Sequence, residues 1–125
     1  MNLLDSSGWL EFFADGPLAD RFAAVLKAPS RLLVPTIVVY EVFKVVLRER
    51  SETEALRAAA AMQQCQIVAI TEEVALLAAR ASLEERLPMA DSIILTVARL
   101  HGATIWTLDE HFASLPRVNY YPIRR

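Results

Sequence analysis

Five aspartates are spread unevenly along this chain of 125 residues, and three of them, with one glutamate, form a pattern that can do chemistry. Asp15 and Asp20 belong to a turn and to an ordinary surface helix. Asp5 follows the apolar pair Leu3-Leu4, and Asp109 comes just after the run Ala103-Thr104-Ile105-Trp106-Thr107. Asp91 lies in the first turn of a segment with helical periodicity, and Glu41 interrupts the apolar run Ile37-Val38-Val39-Tyr40-Glu41-Val42-Phe43. Carboxylates gathered in one site oppose each other's ionisation unless a cation neutralises them. Their hard oxygens select Mg²⁺, with Mn²⁺ as a substitute, and no Cys/His set competes for zinc. Such acid clusters serve in-line displacement at phosphorus, where metal charge stabilises the attacking and leaving oxygens. No Gly-rich loop followed by Lys-Ser/Thr is present to cradle a nucleotide. The chemistry implied is hydrolysis of a phosphodiester.

Those acids meet only if the intervening elements bring them together. Asn2 to Leu4, Arg31 to Pro35, Gln66 to Ile70 and Ala103 to Thr107 read as strands, and Val118 to Tyr121 as a fifth. Between them fall helical patterns: one carrying Trp9, Leu10, Phe12 and Phe13, one over Leu18 to Lys27, and one from Thr36 to about Arg50. An alanine-rich helix follows to about Gln64, then one from Thr71 to about Arg86, and one from Met89 to His101 closed by Gly102. Ser6 or Ser7, Thr36, Ser51 or Thr53, and Thr71 offer side-chain caps. Strands separated by helices make an α/β fold, a three-layer sandwich around a central parallel sheet of four to five strands. Asp5 and Asp109 then stand at the carboxyl edge of that sheet, where open α/β folds bind ligands. A helix returning between parallel strands starts at the same edge, which places Asp91 there, with Glu41 roughly 7 to 8 Å along its own helix. If the strands carrying them are neighbours, four carboxylates converge.

These residues resemble the motifs of the PIN-domain ribonucleases, and specifically of the VapC toxins of prokaryotic toxin–antitoxin pairs. Leu4-Asp5-Ser6-Ser7 resembles the family's opening motif, and Glu41, after strand two and a proline, its second acid. Leu87-Pro88-Met89-Ala90-Asp91-Ser92-Ile93-Ile94 resembles the third-acid motif, and Thr107-Leu108-Asp109-Glu110-His111-Phe112 the fourth. The resemblance covers the whole length. It implies that Asp5, Asp91 and Asp109 hold Mg²⁺, that Glu41 completes the catalytic acids, and that Ser7 and Thr107 supply hydroxyls beside them. It implies RNA as substrate, and a cognate antitoxin that blocks the cleft in an assembly of toxin homodimers. His111 departs from the pattern, since many relatives place a further aspartate there.

Composition sets the bounds. A chain of this length suits a single domain over 1–125, and 54% hydrophobic residues exclude disorder. Surplus apolar surface in a small domain points to an oligomer or a dedicated partner. Thirteen Lys+Arg against fifteen Asp+Glu give −2, which argues against a generic nucleic-acid coat. The lone Cys65 excludes an internal disulfide and a multi-Cys zinc site and suits a reducing compartment. No apolar run is long enough to span a bilayer, and Asp5 interrupts the N-terminus where a leader would be apolar. The expectation is a soluble, cytoplasmic protein with no membrane association.

Each residue also has a plainer reading. Asp5 and Asp109 could be helix N-caps, and Asp91 could complement a helix dipole. Glu41, Lys44 and Arg48 fall at i, i+3 and i+7, the spacing of a solvated charge stripe as well as of an RNA-contacting one. Arg117, Arg124 and Arg125 could bind backbone phosphates or be solvated tail charges. Trp9, Phe12 and Phe13 could line a dimer or antitoxin groove, though core packing is the commoner fate of such aromatics. His111 could assist proton transfer or simply lie on the surface. Cys65 and Trp106 read as core. Independent caps need not all choose one sheet edge, and that favours a site. The competing function is a catalytically silent interaction module on the same fold. A phosphoacceptor receiver domain lacks support, because Asp5 is followed by Ser6 rather than a second acid.

Overall fold

Strand β1 (Asn2–Leu4) is three residues long and lies in the middle of the sheet, where both faces are covered. Leu3 and Leu4 are fully buried there. The computed structural model describes residues 1–123, so Arg124 and Arg125 lie outside the described residues. After β1 come α1 (Ser6–Phe13), α2 (Ala19–Leu26), β2 (Leu32–Pro35), α3 (Thr36–Glu49) and α4 (Glu52–Gln63). Then follow β3 (Gln66–Val68), α5 (Glu72–Glu85), α6 (Met89–His101), β4 (Thr104–Thr107) and β5 (Val118–Tyr120). The strands form one five-stranded sheet in the order β3-β2-β1-β4-β5, and every pairing is parallel. Helices flank it, with α1 on α2, α3 on α4, and α5 on α6. This is the expected three-layer α/β/α sandwich.

The order of strands decides which acids can meet. β1 pairs with β2 on one side and β4 on the other, with Leu4 opposite Trp106. The carboxyl ends of β1, β2 and β4 therefore share one edge, which gathers the segments bearing Asp5, Glu41 and Asp109. The core between sheet and helices is built from Leu3, Leu4, Phe22, Leu33, Val38, Met62, Ile94 and Ile105, all essentially buried. Burying a Leu, Ile, Val or Phe of this kind stabilises the fold by about 1.5–3 kcal/mol each.

Local expectations met mixed outcomes. Ser51 caps α4 by accepting from Glu54 N–H, and Thr71 caps α5 by accepting from Val74 N–H. Gly102 ends α6 at φ 60°, the left-handed conformation a glycine adopts without strain. Thr36 makes no cap; Pro35 holds the N-cap position of α3 without a side-chain bond. Ser6 and Ser7 are inside α1, and Asp5 is its cap. β3 stops at Val68, because Val68 pairs with Pro35, the last residue of β2, and the chain of its only neighbour then turns into α3. Trp9 is core, whereas Phe12 is exposed and Phe13 half-buried. Trp106 is not core: it is half-buried, stacks on Tyr121, and donates its Nε1–H to Asn2 Oδ1. Cys65 is likewise half-buried. No described helix is long and apolar enough to cross a membrane.

Candidate active site

Asp5 follows β1 directly, and its carboxylate is held from three directions. Oδ1 accepts from Ser7 Oγ at 2.7 Å and from Gly8 N–H at 3.0 Å, capping α1. Oδ2 accepts from Thr107 Oγ1, at the end of neighbouring β4, at 2.5 Å. Gly8 permits this geometry, since a Cβ there would collide with the Leu4 side chain. The two hydroxyls bind onward: Leu108 N–H donates to Ser7 Oγ at 2.9 Å, and Asp109 N–H to Thr107 Oγ1 at 2.8 Å. Ser7 and Thr107 thus stand beside Asp5. Asp5 is only 3% exposed. Burial pushes its pKa up to about 6, opposed by hydrogen bonds from Thr107, Ser7 and Gly8, while the charge of Asp109 raises it further.

Asp91 and Asp109 meet at a third side chain. Asp109 caps a short 3-10 turn over Glu110–Phe112, its Oδ1 accepting from His111 N–H at 2.9 Å. That turn swings the His111 ring over the acids, with Nδ1 at 2.8 Å from Asp91 Oδ2 and 3.1 Å from Asp109 Oδ1. One ligand atom from each of Asp91, Asp109 and His111 lies within 4.8 Å of the other two. Asp91 lies in the first turn of α6. Burial first, then the Asp109 charge, carry its pKa to about 6; His111 pulls it down and Glu41 adds a smaller upward push. The hydrogen bond to Asp91 and the surrounding acids raise the pKa of His111.

Glu41 reaches the site from α3, and Ser6 Oγ donates to its Oε1 at 2.5 Å. All four acids are therefore electrostatically linked: Asp5 with Asp109, Asp109 with Asp91, and Asp91 with Glu41. Only Asp91 and Asp109 share the three-donor cluster. Asp5 joins it through Thr107, and Glu41 is tied to the start of α1. Asp5 caps α1 and also lies within electrostatic reach of Asp109, so its cap reading does not exclude the other. Lys44 lies over the Tyr40 ring, 5.6 Å from its centroid, and Arg48 pairs with Glu49 at 3.2 Å. Both are solvent-exposed on α3, and neither pairs with Glu41. The weight of His111 and the bridging role of Ser6 were not legible from sequence. A histidine two residues after a capping aspartate was the available signal, because a 3-10 turn folds that side chain back toward the cap.

Beside Ser7 and Leu108 opens a groove of about 630 Å³, lined also by Leu10, Phe13 and Val46, with Arg57 among its polar walls.

Comparison with known proteins places this geometry in context. No curated protein sequence matches the chain. A toxin–antitoxin complex from Klebsiella pneumoniae superimposes with a TM-score of 0.83 at 25% identity, covering 98% of this chain and 100% of that one. VapC20 of Mycobacterium tuberculosis, described as a sarcin-ricin loop cleaving toxin, gives 0.79 at 18% identity with both chains covered in full. FitAB bound to a DNA fragment gives 0.64 at 24% identity, covering 96% of this chain and 94% of that one. The model of the PIN domain matches residues 3–118, nearly the whole length. With its acids on the carboxyl edge of a β3-β2-β1-β4-β5 sheet, the chain belongs to the PIN-domain family and has the VapC-like form of that fold.

Proposed function

We propose that this protein is a Mg²⁺-dependent endoribonuclease that hydrolyses RNA phosphodiester bonds, the toxin of a toxin–antitoxin pair. The observation that carries the reading is the convergence of Asp91 and Asp109 oxygens, with Asp5 and Glu41 within electrostatic reach. This donor set fits a hard divalent ion: two carboxylates share one face, and two more acids add negative charge. Asp5, Asp91 and Asp109 would hold the ion, with Glu41 completing the catalytic set. The raised pKa values of Asp5 and Asp91 mean that full ionisation of the cluster calls for a counter-cation. Bound there, the ion supplies charge to the attacking and leaving oxygens of the phosphodiester. Ser7 and Thr107 keep the Asp5 oxygens oriented, and Ser6 does the same for Glu41. Lys44 and Arg48, both exposed on α3, are offered as contacts for RNA phosphates.

The partners follow from the same reading. A cognate antitoxin would fill the groove beside Ser7, whose apolar lining of Leu10, Phe13 and Val46, walled by Glu11, Glu49 and Glu54 as well as Arg50 and Arg57, suits an amphipathic segment. Leu76 and Leu83 on α5 and Leu100 on α6 are exposed apolar side chains that a homodimer would cover. Such a toxin would act in the cytoplasm, where its RNA is. The test is direct: purified protein should cleave a structured RNA with Mg²⁺, lose the activity in EDTA, and lose it in Asp91→Asn. Cleavage that persists in EDTA, or full activity in that variant, refutes the proposal.

A further inference from the structure

Where the family resemblance leads one to expect another acid, this chain has His111, and the fold does not leave it idle. The backbone that carries its ring is anchored on both sides: the main-chain N–H of His111 donates to Asp109 Oδ1 at 2.9 Å, and the next residue, Phe112, is fully buried. Nδ1 sits 2.8 Å from Asp91 Oδ2 and 3.1 Å from Asp109 Oδ1. An octahedral ion with bonds of about 2.1 Å holds adjacent ligand atoms about 3 Å apart. The two measured separations straddle that value. The same two contacts are those of an ion pair when no metal is bound, but the ring is half-exposed, and pairs of that kind contribute little. An arriving ion therefore displaces little by taking their place.

We propose that His111 is a nitrogen ligand of the ion held by Asp91 and Asp109, and that it makes this centre prefer Mn²⁺ over Mg²⁺. Mg²⁺ demands oxygen ligands and keeps its waters, whereas affinity for imidazole rises along the first transition row, beginning at Mn²⁺. A neutral ring also adds a ligand to four crowded acids without adding a fifth negative charge. The inference rests on the metal-dependent reading above.

The test is metal binding rather than cleavage. Calorimetric titration of the purified full chain with MnCl₂ and with MgCl₂ should give tighter binding of Mn²⁺ by about tenfold or more. His111→Ala should weaken Mn²⁺ by about tenfold to a hundredfold, the range seen when metal-site partners are removed, and change Mg²⁺ by threefold or less. His111→Asp should move the ratio back toward Mg²⁺. Pulsed electron paramagnetic resonance of the Mn²⁺-loaded protein should show a ¹⁴N coupling that vanishes in His111→Ala. If the alanine variant binds both ions as tightly as wild type or more so, His111 is a competitor of the ion, and the assignment fails. Bound Mn²⁺ with no ¹⁴N coupling overturns the ligand assignment alone. A wild-type chain that binds neither ion overturns the metal-dependent reading itself.

Discussion

Thr107 Oγ1 donates to Asp5 Oδ2 at 2.5 Å, linking the ends of two neighbouring parallel strands across 102 positions of sequence. The link follows from register: Leu4 lies opposite Trp106, so the next residues of β1 and β4, Asp5 and Thr107, face each other. The same hydroxyl accepts from Asp109 N–H and so couples two of the acids. Thr107 is fully buried, so neither partner has water to fall back on. Thr107→Val should destabilise the fold by about 1–3 kcal/mol, the cost of a buried group left without its bond. Thr107→Ser should stay close to wild type. Denaturant midpoints of the two variants give the comparison, and equal midpoints would remove the hydroxyl from the account.

Two substitutions of Asp5 should separate its structural role from its chemical one. Asn keeps an oxygen to accept from Gly8 N–H and Ser7 Oγ, whereas Ala leaves these donors and the Thr107 hydroxyl unpartnered. Loss of an N-cap alone costs about 1 kcal/mol. Asp5→Asn should therefore be more stable than Asp5→Ala by about 1–3 kcal/mol, while both lose RNA cleavage. Thermal unfolding and a cleavage assay on the pair check both halves.

Removing charge at Asp91 should stabilise the metal-free chain. Burial and the Asp109 charge both work against its ionised form. Asn at this position keeps an oxygen for His111 and carries no charge. We expect Asp91→Asn to gain on the order of 1 kcal/mol without metal and to lose the stabilisation that added Mg²⁺ gives wild type. A variant whose melting temperature still rises with Mg²⁺ would place the ion elsewhere.

Stability without metal should fall as pH rises. Asp5 and Asp91 have folded pKa values of about 6 against an ordinary 3.8, and such carboxyls contribute stability below the lower value that is lost through the higher one. The raised pKa of His111 acts in the same direction, its contribution present below 6.5 and lost as pH climbs through its folded value. For the nearly buried Asp5, a shift of this size corresponds to about 3 kcal/mol between pH 4 and pH 7. Saturating divalent ion should flatten the profile over the same window. Melting temperatures taken from pH 4 to pH 8 with and without Mg²⁺ measure it, and a metal-free profile that rises across that interval would contradict the assignment.

Much of the fold was legible because apolar periodicity and caps act locally. The strands at Leu32–Pro35 and Thr104–Thr107, the helix Met89–His101 and its terminal Gly102 follow from residues that are near neighbours in the chain. The edge strand β3 was overextended to Ile70, because reading one segment does not show where its only neighbour, β2, ends. Trp106 was misplaced as core because its indole N–H is held by Asn2, 104 positions away in the sequence, a pairing that its own segment does not reveal.

For the site, residue type determined the chemistry. Carboxylates after apolar strands, with no Cys/His set of zinc type in the sequence, pointed to a hard cation. Which of those acids converge was a matter of tertiary structure. Strand order put β1 between β2 and β4, register brought Thr107 to Asp5, and a three-residue turn laid His111 between Asp91 and Asp109. Distances of a few ångströms between residues 20 to 104 apart depend on the closing of the whole sheet. No local propensity encodes them.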